Sequence, residues 1–399
     1  MHVCGALLAS ACAPSPASID ALSEAYARVT LQLALHDPSL VDGWRGPAEW
    51  RQGPRMPVAG LHGVVNGIRR ELDRVAPPPN DRARRDYLAA QLRALDFAAR
   101  RLMGEPLSID DQAKAEFGIE LGTAEPERMA EVRAAIDRAL PGPGSTVERF
   151  SALKARTLVA EGRRLAVMEA ALAACRRATA EAFTLPGGER TSVSFERDLG
   201  WDGYAHPLAG RHTVIAVNAD GPLDVSRALR LACHEGYPGH HVQQLLMHES
   251  PRRTELELSP GFGPHLLFAE GAAEAGADLA FAPEERERLY REELLPAAGL
   301  PLADAHALAV VDDLIAGLQP IVTEVARDYL DGTLARARAE SRLRDEALIL
   351  SPEATLAMIE RRRARALVYG EGRRAVYGRL GSRSLKELAA LFSATFALP

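Results

Sequence analysis

The stretch Leu231-Ala232-Cys233-His234-Glu235-Gly236-Tyr237-Pro238-Gly239-His240-His241 decides how the rest of the chain is read. In an HExxH arrangement two histidines four residues apart share one face of a helix and can meet one metal ion. Here the second histidine comes six residues after the first. On a straight helix that is about 240° of rotation and about 9 Å of rise, whereas a zinc–nitrogen bond is only about 2.0–2.1 Å. An undistorted helix cannot join the two. Pro238 removes a backbone hydrogen bond and Gly239 accepts unusual dihedrals, so the turn between Gly236 and Gly239 is expected to bulge or break and carry His240 to His234. His241, about 10.5 Å along a regular helix, is the weaker ligand and is expected in a supporting position. Glu235, rotated by about 100° from His234, would face an open coordination position, where a general base for an activated water belongs.

A third ligand is expected from a separate helix. Phe268-Ala269-Glu270-Gly271-Ala272-Ala273-Glu274-Ala275-Gly276-Ala277-Asp278 carries carboxylates every four residues, and no Lys or Arg occurs from Thr254 to Glu285. Carboxylates that share one face and lack local cations are costly to bury, and a metal would supply the charge. Glu270 is assigned as ligand and Glu274 as the acceptor that orients a ligand imidazole. A lone His-Glu pair is usually structural, and an acidic stripe is usually a solvated face. Here the two features come with a helix-breaking Pro-Gly between the histidines. A His/His/Glu set with one open position suits zinc, one Zn2+ per chain.

These residues also carry a resemblance. HEGYPGHHVQ (234–243), followed by EGAAE (270–274), resembles the bacterial family known only as domain of unknown function 885. Members show His-Glu, two variable residues, Pro-Gly-His-His and later Glu-Gly-Trp-Ala-Glu; Ala272 stands here where the tryptophan is expected. HTVIAVN (212–218) and Tyr369-Gly370-Glu371-Gly372-Arg373 also look like family features, so the likeness spans at least 191–381. The family is similar to gluzincin metallopeptidases. The resemblance implies a helical fold around a channel, with His234, His240 and Glu270 on zinc and Glu235 as base. Within that setting, a strand from Thr213 through Ile215 to Val217 would present an exposed edge to an extended substrate, although a plain structural hairpin fits the residues equally well. Tyr369 and Arg373 are candidate donors to a developing oxyanion, with a packing role for the tyrosine as the alternative.

Composition bounds the remainder. The 399 residues include 48 basic and 54 acidic side chains with a net charge of -6 and no basic stripe, which argues against nucleic acid. Aromatic residues make up 5%, and the Ala/Leu/Arg/Glu-rich composition favours helices. Helical periodicity is expected over 19–36, 58–75, 81–103 and 125–140, with the longest helix, or two in line, over 146–185. Between Pro186 and Pro222 alternating β-branched and polar residues predict a small antiparallel sheet beside the active-site helix. The fold is therefore expected to be mainly α, a multi-helix metallopeptidase-like structure divided into a leader-like segment (1–18), an N-terminal helical half (19–185) and a catalytic half (186–399). The two halves are expected to form one continuous domain.

Cys175 and Cys233 read as buried small hydrophobes, without a CxxC pair. The opening MHVCGALLASACAPSPAS resembles a lipoprotein leader with Cys12 as the lipidated residue, although it lacks a charged n-region. A genuine leader implies the cell envelope, periplasmic or lipid-anchored; otherwise the chain is cytoplasmic. No other segment has the uninterrupted apolar length to span a bilayer. The expected function is zinc-dependent hydrolysis of peptide or amide bonds in short peptide-like substrates. The alternative is a zinc-stabilised binding or scaffold protein of the same fold.

Overall fold

The computed structural model describes residues 18–249 and 253–393. The leader-like segment and Cys12 lie outside the described residues, apart from Ser18. That serine caps helix α1 (Ile19–Ala34) by accepting from the Ala21 amide at 3.2 Å. Helices α2 (Val58–Arg74) and α3 (Arg82–Leu102) follow on either side of the Pro77-Pro78-Pro79 stop. The three pack around Tyr26, Leu33, Leu61, Leu72, Leu88 and Leu95. A buried ion pair between Arg84 and Glu255 ties this layer to the rest of the chain.

The mainly helical expectation holds. The apolar cores, however, divide before Ile109 rather than at 185. Helices α4 (Pro126–Ala139), α5 (Thr146–Arg156) and α6 (Arg164–Ala180) share one core with the C-terminal half, through residues such as Ile136, Leu153 and Met168. The Pro-free run over 146–185 forms two helices, α5 and α6, and the longest of those described is α3 with 21 residues. The break between them has a tertiary cause. The Val159 amide donates to the Leu223 carbonyl at 2.8 Å and the Val225 amide to the Thr157 carbonyl at 3.1 Å, which ties the gap to the start of the motif helix.

Two short strands, β1 (Val41–Trp44) and β5 (Leu258–Pro260), pair antiparallel and join the N-terminal layer to the acidic helix. The sheet expected from residues 186–222 consists of β2 (Arg190–Glu196), β3 (Gly203–Leu208) and β4 (His212–Asn218) in the order β2-β4-β3. The β3–β4 hairpin is antiparallel as expected, while β2 adds parallel to the other edge of β4. Strand β4 is therefore central, which fits its apolar HTVIAVN sequence. Among the described residues one run, Leu302–Leu330, is long and apolar enough to cross a membrane by length and composition. It is made of successive helical segments that bury Leu308, Val311, Ile321 and Val325 in the main core.

Candidate metal centre

Helix α7 (Val225–Leu231) is capped by Asp224, whose carboxylate accepts from the Ser226 and Arg227 amides. Its last turn widens into a π-helical turn, Ala232–Gly236, in which the Tyr237 amide reaches the Ala232 carbonyl at 3.3 Å. Tyr237 is extended, the Tyr237–Pro238 peptide is cis, and helix α8 restarts at His240 (His240–Glu249). The break thus falls where Pro238 and Gly239 predicted it. A β-carbon on Gly239 would stand 1.7 Å from the His234 carbonyl oxygen, so only glycine lets the chain double back this tightly.

The result is convergence. His234 Nε2 lies 3.2 Å and His240 Nε2 3.4 Å from the same Glu270 Oε2, and the three donor atoms fall within 4.8 Å of one another. Tetrahedral ligands at zinc bond lengths sit about 3.3–3.5 Å apart, so the donor set fits that ion. Glu270 Oε2 is also buried without a hydrogen-bond partner, which in a native interior calls for one. Burial would raise the Glu270 carboxyl, but the imidazoles of His240 and His234 outweigh it and hold the group at about 2. Burial likewise opposes charge on both histidines, yet Glu270, together with Glu274 for His234, pulls their pKa upward.

Glu270 comes from helix α9 (Gly263–Leu279), whose carboxylate ladder has three fates. Glu274 lies 3.0 Å from His234 Nδ1 and pairs with Arg230, and Asp278 pairs with Arg230 and Arg373. The cations missing from the local sequence thus arrive from other helices for these two. Among the described residues, Glu270 has the two imidazoles as its charged partners. Glu274 stands where an orienting acceptor is needed, though His234 Nδ1 is not aligned for a true hydrogen bond with it. For His240 the corresponding partner is Gln243, whose Oε1 faces Nδ1 at 3.4 Å while its Nε2 donates to the Ala269 carbonyl at 2.8 Å. Nothing in the spacing marked Gln243, because its role depends on α8 lying against α9.

Glu235 is 6% exposed, and burial raises its carboxyl pKa ahead of every other influence. Strand β3 passes directly over it: a β-carbon on Gly203 would be 3.1 Å from Glu235 Oε1. Tyr369 comes from helix α11 (Val368–Tyr377), which follows helix α10 (Pro352–Arg362). Backbone contact between Gly271 and Gly372, with no room for a β-carbon on either, presses α11 onto α9 and sets the Tyr369 ring 6.1 Å from that of His234. Glu270 and burial raise the Tyr369 phenol, so it stays protonated and able to donate.

Several expectations need correction. Arg373 is not available to an oxyanion, because its guanidinium binds Asp278 at 3.1 Å and the Ala316 carbonyl. Thr213, Ile215 and Val217 have no free edge, since β4 is paired on both sides; Ile215 and Val217 fill the core. Among the described residues, the sheet edge beside Glu235 with no paired strand is that of β3. His241 does not support the metal cluster. Its Nδ1 meets Thr213 Oγ1 at 2.7 Å and its Nε2 meets Glu189 Oε2 at 3.1 Å, in a buried group with Tyr237 that braces the Pro-Gly turn from behind. Cys175 and Cys233 are not free thiols but form a disulfide that pins the π-helical turn to α6. Along Arg361-Arg362-Arg363, the first two side chains are exposed, whereas Arg363 donates to the Leu107 carbonyl at 3.0 Å.

One further residue had no sequence signal. Asp42 on β1 accepts at its backbone carbonyl from the hydroxyl of Tyr204 at 3.3 Å, and Tyr204 follows Gly203, which packs against Glu235. Its side chain is exposed, yet crowding by protein raises its pKa to about 6, with Glu270 adding to the rise and Arg362 opposing it.

The site is thus a two-histidine, one-glutamate cluster in a mainly helical protein. No family model and no curated protein matches the chain. A crystal structure described as a candidate lipoprotein from Colwellia psychrerythraea is similar over 86% of this chain and 68% of its own, at 17% identity and a TM-score of 0.52. A second, described as a candidate lipoprotein of unknown function from Shewanella oneidensis, matches over 84% and 69% at 13% identity and a TM-score of 0.46. The first likeness supports the fold.

Proposed function

We propose that the protein is a zinc-dependent hydrolase of peptide or amide bonds in short substrates, related to the domain of unknown function 885 family. The observation that carries this reading is the meeting of His234 Nε2 and His240 Nε2 on Glu270 Oε2, at 3.2 and 3.4 Å, beside Glu235. Zinc held by these three side chains would supply a Lewis acid that polarises a scissile carbonyl and acidifies a water.

The chain's own groups then have defined work. Glu235, with its raised proton affinity, takes the proton from the attacking water and returns it to the leaving nitrogen. Tyr369 donates to the developing oxyanion. Gln243 fixes the His240 ring, and Glu274 stands beside Nδ1 of His234 as the acceptor nearest to it. The unpaired edge of β3 aligns an extended substrate over Glu235.

A location in the cell envelope is part of the proposal. It is supported by the leader-like opening with Cys12, by the Cys175–Cys233 disulfide, a bond typical of oxidising compartments, and by the description of a similar structure as a candidate lipoprotein. The test is metal analysis joined to a mixed peptide library, comparing wild type with Glu235→Gln. About one zinc per chain and cleavage only by wild type are expected. Zinc without cleavage by either protein would favour the non-catalytic scaffold, and no zinc at all would end both readings.

A further inference from the structure

We infer that the cavity under the β3–β4 hairpin is a subsite for an uncharged, apolar side chain of the substrate, about four residues from the scissile bond. The inference rests on the hydrolase reading for its substrate and adds a second point at which that substrate is recognised.

Two elements lead from the metal cluster to this cavity. On β3, Gly203, Ala205 and Pro207 share one face, because they lie opposite Val217, Ile215 and Thr213 of β4, which are all buried. Gly203 packs on Glu235, and Pro207 lines the cavity. On α8, His240, Gln244 and His248 recur in steps of four; the first belongs to the metal cluster and the other two line the cavity. Four residues of strand cover about 13 Å and eight of helix about 12 Å, so the two routes agree on the distance. An extended peptide on the unpaired edge of β3 advances at the same rate as the strand, which makes that span about four residues. The far end of the edge is open, since His206, Pro207 and Leu208 are exposed. Pro207 has no N–H to donate, so regular pairing with a peptide ends beside the cavity.

The walls state what the cavity takes. Its volume is about 280 Å³, and Pro207, Leu208 and Leu245 give it an apolar lining. Leu208 is 51% exposed, a large apolar surface left to water at this place. Arg211 and Glu249 also line the cavity but pair with each other at 2.7 Å, which leaves neither for a charged side chain. Gln244 Oε1 is buried without a hydrogen-bond partner among the described residues, and a peptide N–H lowered into the cavity is a donor for it. When a peptide adds to a sheet edge, main-chain bonds give affinity and side-chain pockets give specificity; β3 offers the first and this cavity the second.

The experiment digests a random dodecapeptide library with the zinc-loaded protein and reads the residues around each cleaved bond by mass spectrometry. Leu, Ile, Phe and Met should be enriched about four residues from the cleaved bond, on one side of it. Leu208→Arg changes a half-exposed position and should keep zinc content while turning that preference toward Asp and Glu. A peptide shortened to exclude the preferred residue should lose about 10- to 100-fold in kcat/KM, the range for burying one aliphatic side chain. A flat profile at these positions, or one that Leu208→Arg leaves unchanged, overturns the inference and leaves the hydrolase reading standing. Retention of the same library on immobilised Glu235→Gln gives a readout without turnover. If wild type cleaves nothing, but retained peptides share an apolar residue and adding Leu208→Arg reverses that selection, the hydrolase reading fails and the cavity stands as a peptide subsite. Retention without such a residue overturns the subsite as well.

Discussion

Gly239 lies so close to His234 that a β-carbon on it would stand 1.7 Å from the His234 carbonyl oxygen. The contact is backbone against β-carbon and cannot be relieved by a rotamer change. Gly239→Ala must therefore open the turn and separate His240 from His234. Zinc affinity should fall by more than about 100-fold, the upper range for disturbing a metal shell. Competition with a chromophoric chelator measures it, and an unchanged affinity would mean that the two histidines do not share an ion.

Gln243 makes a milder prediction. It links His240 to the carbonyl that precedes Glu270, so Gln243→Ala should leave the fold intact and weaken zinc binding by about 10- to 100-fold. Gln243→Glu, which keeps an acceptor toward Nδ1, should recover part of that loss. Equal affinities in all three proteins would remove Gln243 from the site.

Glu235→Gln is nearly isosteric and touches no proposed ligand atom. It should retain zinc and lose about 100- to 10,000-fold in kcat, the usual contribution of a positioned acid–base group. Stopped assays on the peptide identified by the library screen, with zinc content measured on the same samples, test this.

The Cys175–Cys233 bridge closes a loop of 58 residues. On the chain-entropy account a loop of that length contributes about 4 kcal/mol, a model-dependent figure. Reduction should lower the midpoint of thermal unfolding and, because Cys233 precedes His234, also weaken zinc binding. Unfolding curves with and without reductant provide the check, and identical curves would contradict a bridge in this position.

Asp42 sets a pH dependence. Crowding by protein, reinforced by Glu270 and opposed by Arg362, His240 and Arg365, raises its carboxyl from 3.8 to about 6. The folded state therefore binds this proton more tightly than the unfolded chain does. Its contribution to stability is present below about pH 4 and is lost as pH rises through about 6. In metal-free protein, the unfolding midpoint of wild type should fall relative to Asp42→Asn between pH 4 and 6.5. A constant difference across that window would show that Asp42 is solvated like any surface aspartate.

Much of this was legible in the chain. Local chemistry fixed the ends of the first helices, because Asp37-Pro38 and the proline run at 77–79 stop a helix whatever packs on it. The break at Pro238-Gly239 and the four-residue step from Glu270 to Glu274 were equally local. What failed was long-range. HTVIAVN reads as a strand, but whether it is an edge depends on where β2 joins, and β2 pairs with it from Arg190 against His212 to Glu196 against Asn218. Cys175 and Cys233 cannot be paired from spacing alone.

The sequence by itself therefore determined which elements form and which side chains could hold a metal, since helix period, proline and glycine act over a few residues. Only the tertiary structure decided that Arg230 neutralises Glu274 and Asp278 but leaves Glu270 to the imidazoles, that His241 turns toward Glu189, and that Tyr204 reaches the Asp42 carbonyl. Those outcomes depend on where distant segments meet, and no short-range preference encodes a meeting between residues 44 to 162 positions apart.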